Sequence, residues 1–505
     1  MRKNRTAALT AATFLLIAGA GIMTAPAAHA GVPGGTRADD RNCDFNGDGY
    51  DDVLVGAPGA PVGGKRGAGL VTVQYGSSRG IGTSRAAVIS QNTAGVPGTA
   101  ESGDAFGKAV ATGDLDGDGY DDAIVGVPGE DIGTRTDSGG AVVLWGSPKG
   151  LVGANSQGLD SLLGVTAGQR FGSAFAAARF SAESPGDQLI VLDRQAAELH
   201  RFEAVPQRSA ARADRISPLT RSALRATAGA EDPVRDIAAK SLTTGDYDRN
   251  GFADLVISGT SRGEDPGHGW SWYIAGTSGG LEYQRALRGG PVVASGDINR
   301  DGYDDLVTGE PHSPNDGGDW MTGGQVGVYL GSGQGLKGAG GVGAPPTWWT
   351  QNSPGVPGAS ERGDGWGADL SVADTNGDGY ADVAIGAPEE DIGTVADAGM
   401  VTVLRGSSRG LTATGAAAWT QNSPGVPGGV EKGDKFGGQV RFVDPNRDGR
   451  FGLLAAAPGE NTNDGVVWVF SAGSGGVTAS GSWTFGAGSF GAPYVDGLYG
   501  AAIDE

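Results

Sequence analysis

The chain has 505 residues, and its 95 glycines and 25 prolines fill about 24% of them, which favours turns over long helices. Short apolar runs recur between polar loops, as is typical of folded chains and not of disordered ones. Asp and Glu number 58 against 37 Lys and Arg, and the formal net charge of −21 disfavours nucleic acids and anionic membranes as partners.

Residues 1–30 have the pattern of a secretory signal peptide. A basic start precedes an apolar stretch that ends in the small-residue pattern Ala28-His29-Ala30, so we expect cleavage before Gly31. No further run of about 18 apolar residues follows, so membrane insertion is not expected. We therefore predict a secreted, extracellular monomer. Its one cysteine, Cys43, excludes an internal disulfide.

Internal repetition predicts the fold. A segment beginning Gln-Asn recurs almost unchanged at Gln91, Gln351 and Gln421. An aspartate-rich loop follows each copy, then a short β-branched run ending near Gly-Ala-Pro, then a second apolar run closed by a Gly/Ser turn. Seven such loop positions recur at a mean spacing of about 67 residues. Units of this size with four short strands are typical of propeller blades, so we predict an all-β, seven-bladed β-propeller.

The repeat divides residues 31–505 into seven blades and two further segments. We place the blades roughly at 37–90, 91–160, 161–204, 233–288, 289–345, 346–414 and 415–475. Residues 205–232 are basic and poor in turn residues, and are interpreted as an insertion between blades. The first unit lacks the Phe-Gly pair that precedes other loops, whereas the tail has an extra pair at Phe490-Gly491. We therefore expect residues 476–505 to close the ring by supplying a strand to the first blade.

Five aspartate loops share one spacing of oxygen-bearing residues. Positions 1, 3, 5 and 9 carry Asp or Asn, position 6 is glycine, and position 7 offers a backbone carbonyl, which together suit a calcium ion better than the smaller magnesium ion. The predicted ligands at positions 1, 3, 5, 7 and 9 are Asp44, Asn46, Asp48, Tyr50, Asp52; Asp114, Asp116, Asp118, Tyr120, Asp122; Asp246, Asp248, Asn250, Phe252, Asp254; Asp297, Asn299, Asp301, Tyr303, Asp305; and Asp374, Asn376, Asp378, Tyr380, Asp382.

Position 12 lies in a strand-like run and is not Glu, so these loops join strands and are not EF-hands. The other two loops depart from the spacing. The third has lost nearly all ligands and is expected to be empty. The seventh keeps Asp444, Asn446 and Asp448 but has Gly452 at position 9, so weak or no binding is expected there.

The order Phe-Gly, aspartate loop, Gly-Ala-Pro resembles the FG-GAP repeat, and the chain is similar to secreted bacterial, integrin-alpha-like FG-GAP proteins. The matching residues are Phe106-Gly107, Phe436-Gly437 and the variant Trp366-Gly367, with Gly56-Ala57-Pro58, Gly126-Val127-Pro128, Gly309-Glu310-Pro311 and Gly386-Ala387-Pro388. The resemblance implies a seven-bladed propeller with calcium in strand-connecting loops, and a role in adhesion or ligand binding.

Two function classes remain open. The leading hypothesis is a non-catalytic propeller that binds an extracellular protein or glycan. The alternative is an extracellular hydrolase or lyase that uses the propeller as a scaffold, with His268 or His312 as base, oriented by Glu264-Asp265 or Asp316. A histidine held by a carboxylate in a pocket would favour the enzyme, and solvent-facing histidines would favour binding.

Two short motifs have simpler interpretations. The Gly-x-Ser-x-Gly strings, such as the one starting at Gly76, repeat at the ends of blades and are read as turns instead of nucleophile elbows. The tripeptide Arg362-Gly363-Asp364 resembles an integrin ligand motif. Sister repeats have Ser or Lys in place of its arginine, so we interpret it as one variant of a tolerant loop.

Overall fold

The computed structural model describes residues 43–194, 196–202, 214–215, 236–262, 266–312 and 323–504. The predicted signal peptide, most of the predicted insertion 205–232, and the acidic residues Glu264, Asp265 and Asp316 lie outside these ranges.

The described residues form seven four-stranded antiparallel sheets. The first three contain β1 (Val53–Ala57), β2 (Leu70–Gln74), β3 (Ala86–Ile89); β4 (Val110–Gly113), β5 (Asp122–Val127), β6 (Gly140–Leu144), β7 (Ser156–Leu159); and β8 (Ala174–Ala178), β9 (Gln188–Leu192), β10 (Ala197–Arg201), β11 (Asp214–Arg215). The fourth and fifth contain β12 (Ile237–Gly245), β13 (Asp254–Ser261), β14 (Gly269–Thr277), β15 (Gly280–Arg288); and β16 (Val292–Gly296), β17 (Asp305–Glu310), β18 (Gln325–Tyr329), β19 (Thr347–Trp349). The last two contain β20 (Asp369–Ala373), β21 (Asp382–Ala387), β22 (Met400–Arg405), β23 (Thr412–Trp419); and β24 (Gln439–Val443), β25 (Gly452–Ala457), β26 (Val466–Gly473), β27 (Gly476–Phe485), while β28 (Ala502–Ile503) joins the first sheet. Within the described ranges the helical elements are one turn, α1 (Glu460–Asn463), and one 3₁₀ turn (Ala487–Phe490).

Each sheet runs in chain order from an inner to an outer strand, and the first sheet begins with β28. The innermost strands of all seven sheets line one axial cavity of about 290 Å³. The predicted all-β, seven-bladed propeller is confirmed. Because neighbouring strands are antiparallel, the aspartate loops, which precede the second strand of each sheet, all lie on one face. The loops that join second to third strands, and each blade to the next, lie on the opposite face.

Apolar side chains pack between neighbouring sheets. One core cluster joins Leu54 and Val71 of the first sheet to Val125 and Val142 of the second. Second strands such as β5 are covered by a sheet on each side and are buried along their whole length. For this reason they are continuous apolar runs in the sequence instead of alternating patterns.

The FG-GAP signature marks a close approach between blades. A Cβ added to Gly126, in the Gly-Val-Pro of the second blade, would lie 2.2 Å from the carbonyl oxygen of Gly172, in the Phe-Gly pair of the third blade. The same geometry holds for Gly56 against Gly107, at 2.0 Å. Only glycine allows the two backbones to come this close. The aromatic partner, for example Phe106, is fully buried beside this contact.

The C-terminal part of the chain completes the first blade. β28 pairs with β1 through Val55↔Ile503 and Gly56↔Ala502. Tyr499-Gly500 takes the place of the missing Phe-Gly pair, since the Gly500 N–H donates to the Gly56 carbonyl at 2.9 Å, as the Gly107 N–H does to Gly126 at 3.0 Å. The pair at Phe490-Gly491, which the sequence suggested, does not have this role.

Two segment bounds differ from the predicted ones. Residues 476–485, at the start of the predicted closing segment, form β27 and belong to the seventh sheet as its outer strand. Residues 214–215, inside the predicted insertion, form β11 and pair with β10 as the fourth strand of the third sheet. Both differences arise because the outer strand of a blade is short or weakly apolar, so its sequence pattern is faint.

Candidate metal centres

The position-1 aspartate shapes each loop. In the second loop, the Asp114 carboxylate accepts the N–H groups of Asp118 at 3.0 Å and Gly119 at 2.9 Å. Gly119 has a φ of +87°, which lets the chain turn sharply around that carboxylate. The same pair of bonds forms at Asp44, Asp246, Asp297, Asp374 and Asp444.

The position-9 aspartate is a buried strut. Asp122 is fully buried, and its two carboxylate oxygens accept the N–H groups of Leu115 at 3.0 Å and Gly146 at 2.8 Å. This ties the start of the loop to the turn after the third strand. The equivalent residues are Asp52, Asp254, Asp305 and Asp382. The sequence spacing predicts a metal ligand at position 9, but it does not indicate that this residue also holds two backbone N–H groups.

Burial makes these carboxylates costly to ionise without a cation nearby. Desolvation raises the pKa of Asp52 to about 9, and the pKa of Asp254 and Asp305 to about 8. It also raises the pKa of Asp122 well above its ordinary value, and the neighbouring Asp116 adds to the effect. A buried carboxylate in this state favours either a proton or a metal ion.

Three carboxylates converge in the second loop. Asp114, Asp116 and Asp122 are all buried, and each places one oxygen within 4.8 Å of the other two. Among the described residues, this is the one group of three or more His, Cys, Asp or Glu side chains that meets this condition. Oxygens bound to one calcium ion at about 2.4 Å lie within about 5 Å of each other, so these residues fit calcium.

The other loops keep the fold but not this convergence. In the fourth, fifth and sixth loops the side chains at positions 3 and 5 bond to each other at 3.0 Å, as in Asn299 to Asp301. In the first loop, Asp48 pairs with Arg85 at 2.8 Å. The N–H of each position-7 residue donates to the position-5 side chain; these residues are Tyr50, Tyr120, Phe252, Tyr303 and Tyr380.

The two departing loops replace the carboxylate strut in different ways. In the third loop, Gln188 is fully buried at position 9, and its amide oxygen accepts the Ser181 hydroxyl at 3.1 Å. In the seventh loop, Gly452 lacks the carboxylate and position 2 is Pro445, which has no N–H to be satisfied. Neither loop therefore carries the buried position-9 charge that a cation would neutralise.

The sixth loop contains a cation of its own. The Arg405 guanidinium lies 2.7 Å from the Asp382 carboxylate, with side chains 13% and 1% exposed. The same guanidinium also donates to the Thr375 hydroxyl at 2.6 Å. The loop spacing does not predict this contact, because Arg405 lies 23 residues beyond Asp382.

Replacing Arg405 with leucine should increase the calcium affinity of the sixth loop. Leu330 occupies the equivalent place beside the fifth loop, before Gly331, so leucine fits this position in a sister blade. Without the guanidinium, Asp382 is free to bind the ion, and the metal-free variant should melt at a lower temperature. Calorimetric calcium titration measures the change, with the exposed Arg409→Leu as control. Equal affinity in the variant and the native protein would contradict this role for Arg405.

Three amide–carboxyl bonds tie loops together on the opposite face. The Gln91 amide donates to Glu130 at 2.6 Å, and Gln351–Glu390 and Gln421–Glu460 repeat the bond at 2.8 and 2.5 Å. Burial is the main cause that raises the pKa of each of these glutamates to about 7. We call these three pairs the latches.

The latches should make stability depend on pH. Because the folded-state pKa of about 7 lies above the ordinary 4.5, the glutamates stabilise the fold when protonated, and this contribution is lost as the pH rises through 7. Replacing Glu130, Glu390 and Glu460 together with Gln should reduce the fall in melting temperature between about pH 5 and pH 8 in saturating calcium. The exposed Glu282→Gln is the control. A triple variant whose slope equals that of the native protein would count against the latches.

The short motifs have structural roles. Asp364 is 2% exposed, and its carboxylate accepts the Glu361 N–H at 2.6 Å, so the aspartate of the Arg-Gly-Asp tripeptide is buried. The Ser77 hydroxyl donates to the Gly80 carbonyl at 2.8 Å and closes a turn. Ser407 and Gly410 repeat this bond at 2.7 Å.

The two histidines of the enzyme hypothesis lie in different surroundings. His268 is buried, and its Nδ1 lies 3.0 Å from the Arg288 guanidinium, which itself pairs with Glu310 at 3.1 Å. His312 has a 61% exposed side chain, with its Nε2 3.3 Å from the Glu389 carboxylate. The first histidine belongs to a packed ion-pair cluster and the second lies on the surface.

The described ranges contain no helix that is both long and apolar enough to cross a membrane. Curated relatives that match the chain include proteins named phosphatidylinositol-glycan-specific phospholipase D from Mus musculus, Rattus norvegicus and Dictyostelium discoideum. They are 31%, 32% and 29% identical over 187, 189 and 188 residues. Each alignment covers 36% of this chain and 19–20% of the relative, so the chain matches about a fifth of the length of these proteins.

The chain also matches the FG-GAP repeat family over residues 42–73, 106–145, 289–329 and 366–404. These stretches contain the first, second, fifth and sixth aspartate loops. The last three stretches each supply the three inner strands of one sheet, whereas the first supplies β1 and most of β2, since β28 is the innermost strand of the first sheet. These matched FG-GAP repeats and the seven four-stranded sheets together support an integrin-alpha-like β-propeller.

Proposed function

We propose that the protein is a calcium-stabilised, extracellular propeller that binds a surface protein or a glycan and has no catalytic activity of its own. The observation that carries this proposal is that the two faces of the propeller hold different kinds of loop. One face holds the aspartate loops, and the other holds longer loops fixed to each other by the latches. Loops on a rigid scaffold are the usual place for ligand binding.

Calcium is the proposed ion because the donors are all oxygen and recur in several loops. Asp114, Asp116 and Asp122 fit it directly, and FG-GAP propellers often bind calcium. The first, fourth and fifth loops would need only side-chain rotations at positions 3 and 5 to present the same donors. The sixth loop would also need Arg405 to release the Asp382 carboxylate. The seventh loop, with Asp444, Asn446 and Asp448 alone, would bind weakly or not at all.

The extracellular location is part of the proposal. FG-GAP propellers are typically extracellular, and the sequence of residues 1–30 has the pattern of a signal peptide. A monomer without nucleic-acid or membrane partners is the state we propose.

A hydrolase is the second candidate, favoured by the names of the relatives. Those enzymes are named for phosphatidylinositol-glycan-specific phospholipase D activity, but the aligned part is a fifth of their length. In this chain, the contacts of His268 are those of a packed ion pair, which gives the enzyme hypothesis little support.

One experiment separates the candidates. The purified protein is applied to an array of glycans and secreted matrix proteins, once in calcium and once in a chelator. In parallel, it is incubated with vesicles that carry a glycosylphosphatidylinositol-anchored protein. We expect calcium-dependent binding on the array and no release of the anchored protein. Release of that protein, or an array with no bound component, would overturn the binding proposal.

A further inference from the structure

Neighbouring aspartate loops are joined by a pair of hydrogen bonds. Between the first and second blades, the carboxylate of Asp121 accepts the backbone N–H of Asp44 at 2.7 Å. The backbone N–H of Asp121 in turn donates to the carbonyl of Asp44 at 3.2 Å. Asp121 is at position 8 of its own loop, between two predicted ligands, yet its carboxylate lies against position 1 of the preceding loop. We call this arrangement the clasp.

The clasp recurs around the ring. Asp187 binds the N–H of Asp114 at 3.2 Å, and Asp304 binds the N–H of Asp246 at 2.9 Å. In both cases the backbone bond back to the position-1 carbonyl is present, at 2.7 and 3.2 Å. Asp187 belongs to the third blade, whose own loop lacks the ligand spacing, so the clasp does not require a calcium site in the loop that supplies the aspartate.

Three interfaces lack the carboxylate. There position 8 is Ala253, Ala381 or Phe451, and the backbone N–H alone reaches the preceding blade, at 2.9, 3.1 and 3.2 Å. The ring thus provides both forms of the interface in one molecule. The carboxylate is an addition to a backbone contact that forms without it.

The carboxylate bond of the clasp also spans the junction between the last and first blades. Asp51, at position 8 of the first loop, accepts the N–H of Asp444 at 3.0 Å, although the two residues are 393 positions apart. Position 1 of the seventh loop is therefore held by the first blade.

We propose that the position-8 aspartates Asp121, Asp187 and Asp304 are positioning residues for the calcium loop of the preceding blade. This inference rests on the proposed calcium binding. The clasp fixes the backbone of the position-1 ligand, and its carboxylate adds negative charge beside the cage. Both effects favour a divalent cation in the neighbouring loop. Partners that orient metal ligands in this way typically contribute about 10- to 100-fold to metal affinity.

The test counts calcium ions by native mass spectrometry, at free calcium close to the dissociation constant of the native protein. Asp121→Ala should lose one ion. Asp121→Ala combined with Asp44→Asn should lose the same single ion, because both act on the first loop. Asp121→Ala combined with Asp114→Asn should lose two ions, because the second loop is a separate site. The exposed Asp160→Ala is the control and should lose none.

If Asp121→Ala does not fold, the clasp between the fourth and fifth blades provides an independent test. There Asp304→Ala is combined with Asp246→Asn, which acts on the same loop, and with Asp297→Asn, which acts on a separate loop. Asp121→Asn keeps an oxygen acceptor but removes the charge. A loss of bound calcium smaller than that of Asp121→Ala therefore measures the electrostatic effect, and the remaining difference measures the positioning effect. The inference is overturned if Asp121→Ala and Asp304→Ala keep every ion, or if each loses the ion of its own loop. A native protein that binds no calcium would instead refute the proposed function on which the inference rests.

Discussion

Removal of calcium by a chelator should lower the melting temperature of the protein by about 7 °C. If calcium is present at about ten times its dissociation constant, each site stabilises the fold by about 1.4 kcal/mol, and five sites by about 7 kcal/mol. The unfolding entropy of about 2.1 cal/mol/K per residue corresponds to about 1 kcal/mol per degree for a domain of roughly 460 residues. Differential scanning calorimetry with and without chelator measures the shift.

Magnesium at the same concentration serves as the control for chelation. Because magnesium has a smaller radius and a stricter octahedral geometry, it should restore little of the lost melting temperature, whereas added calcium should restore the native value. A melting curve unchanged by the chelator would contradict the role of calcium in stabilising this fold. The buried position-9 carboxylates would then have to be stabilised by protons.

Replacing Tyr499 with alanine should destabilise the protein by about 3 to 5 kcal/mol, the usual cost of removing a large buried aromatic side chain. Tyr499 is fully buried, and its hydroxyl lies 2.6 Å from the Thr72 hydroxyl and 3.2 Å from the Gln74 amide. Its ring centre is 5.9 Å from that of Phe485. One side chain thus links the C-terminal segment to the first and seventh blades. Urea unfolding gives the free energy.

Tyr494→Ala is the matched control, because Tyr494 is in the same segment but 49% exposed. It should change the free energy of unfolding by less than about 0.5 kcal/mol. Tyr499→Phe keeps the ring and removes the hydroxyl, and should cost about 1 to 3 kcal/mol because Thr72 and Gln74 lose a buried partner. Equal stability of the Tyr499→Ala and Tyr494→Ala variants would contradict this view of the junction.

Most of the architecture could be predicted because the repeat itself encodes it. The aspartate spacing, such as Asp114 to Asp122, marks where an inner strand ends and the next begins. The Gly-Ala-Pro glycines mark where blades touch. Faint outer strands and the substitute pair Tyr499-Gly500 were missed, because Tyr replaces Phe and no aspartate loop follows within the chain.

The candidate sites were predicted only in part, since spacing reveals which residues share a loop but not what surrounds it. The position-9 strut depends on N–H groups such as that of Gly146, 24 residues away from Asp122. The Arg405 contact and the clasp depend on residues that the fold brings together from distant parts of the chain. A local pattern has no information about such neighbours.

The pairing of β28 with β1 has a consequence for biosynthesis. The Leu54 N–H bonds to the Asp504 carboxylate, 450 positions later in the chain, so the inner edge of β1 stays open until translation has reached the final strand. An open strand edge is a template for aggregation. We therefore expect the nascent protein to depend on a chaperone, or on export before folding, for longer than its individual sheets would require.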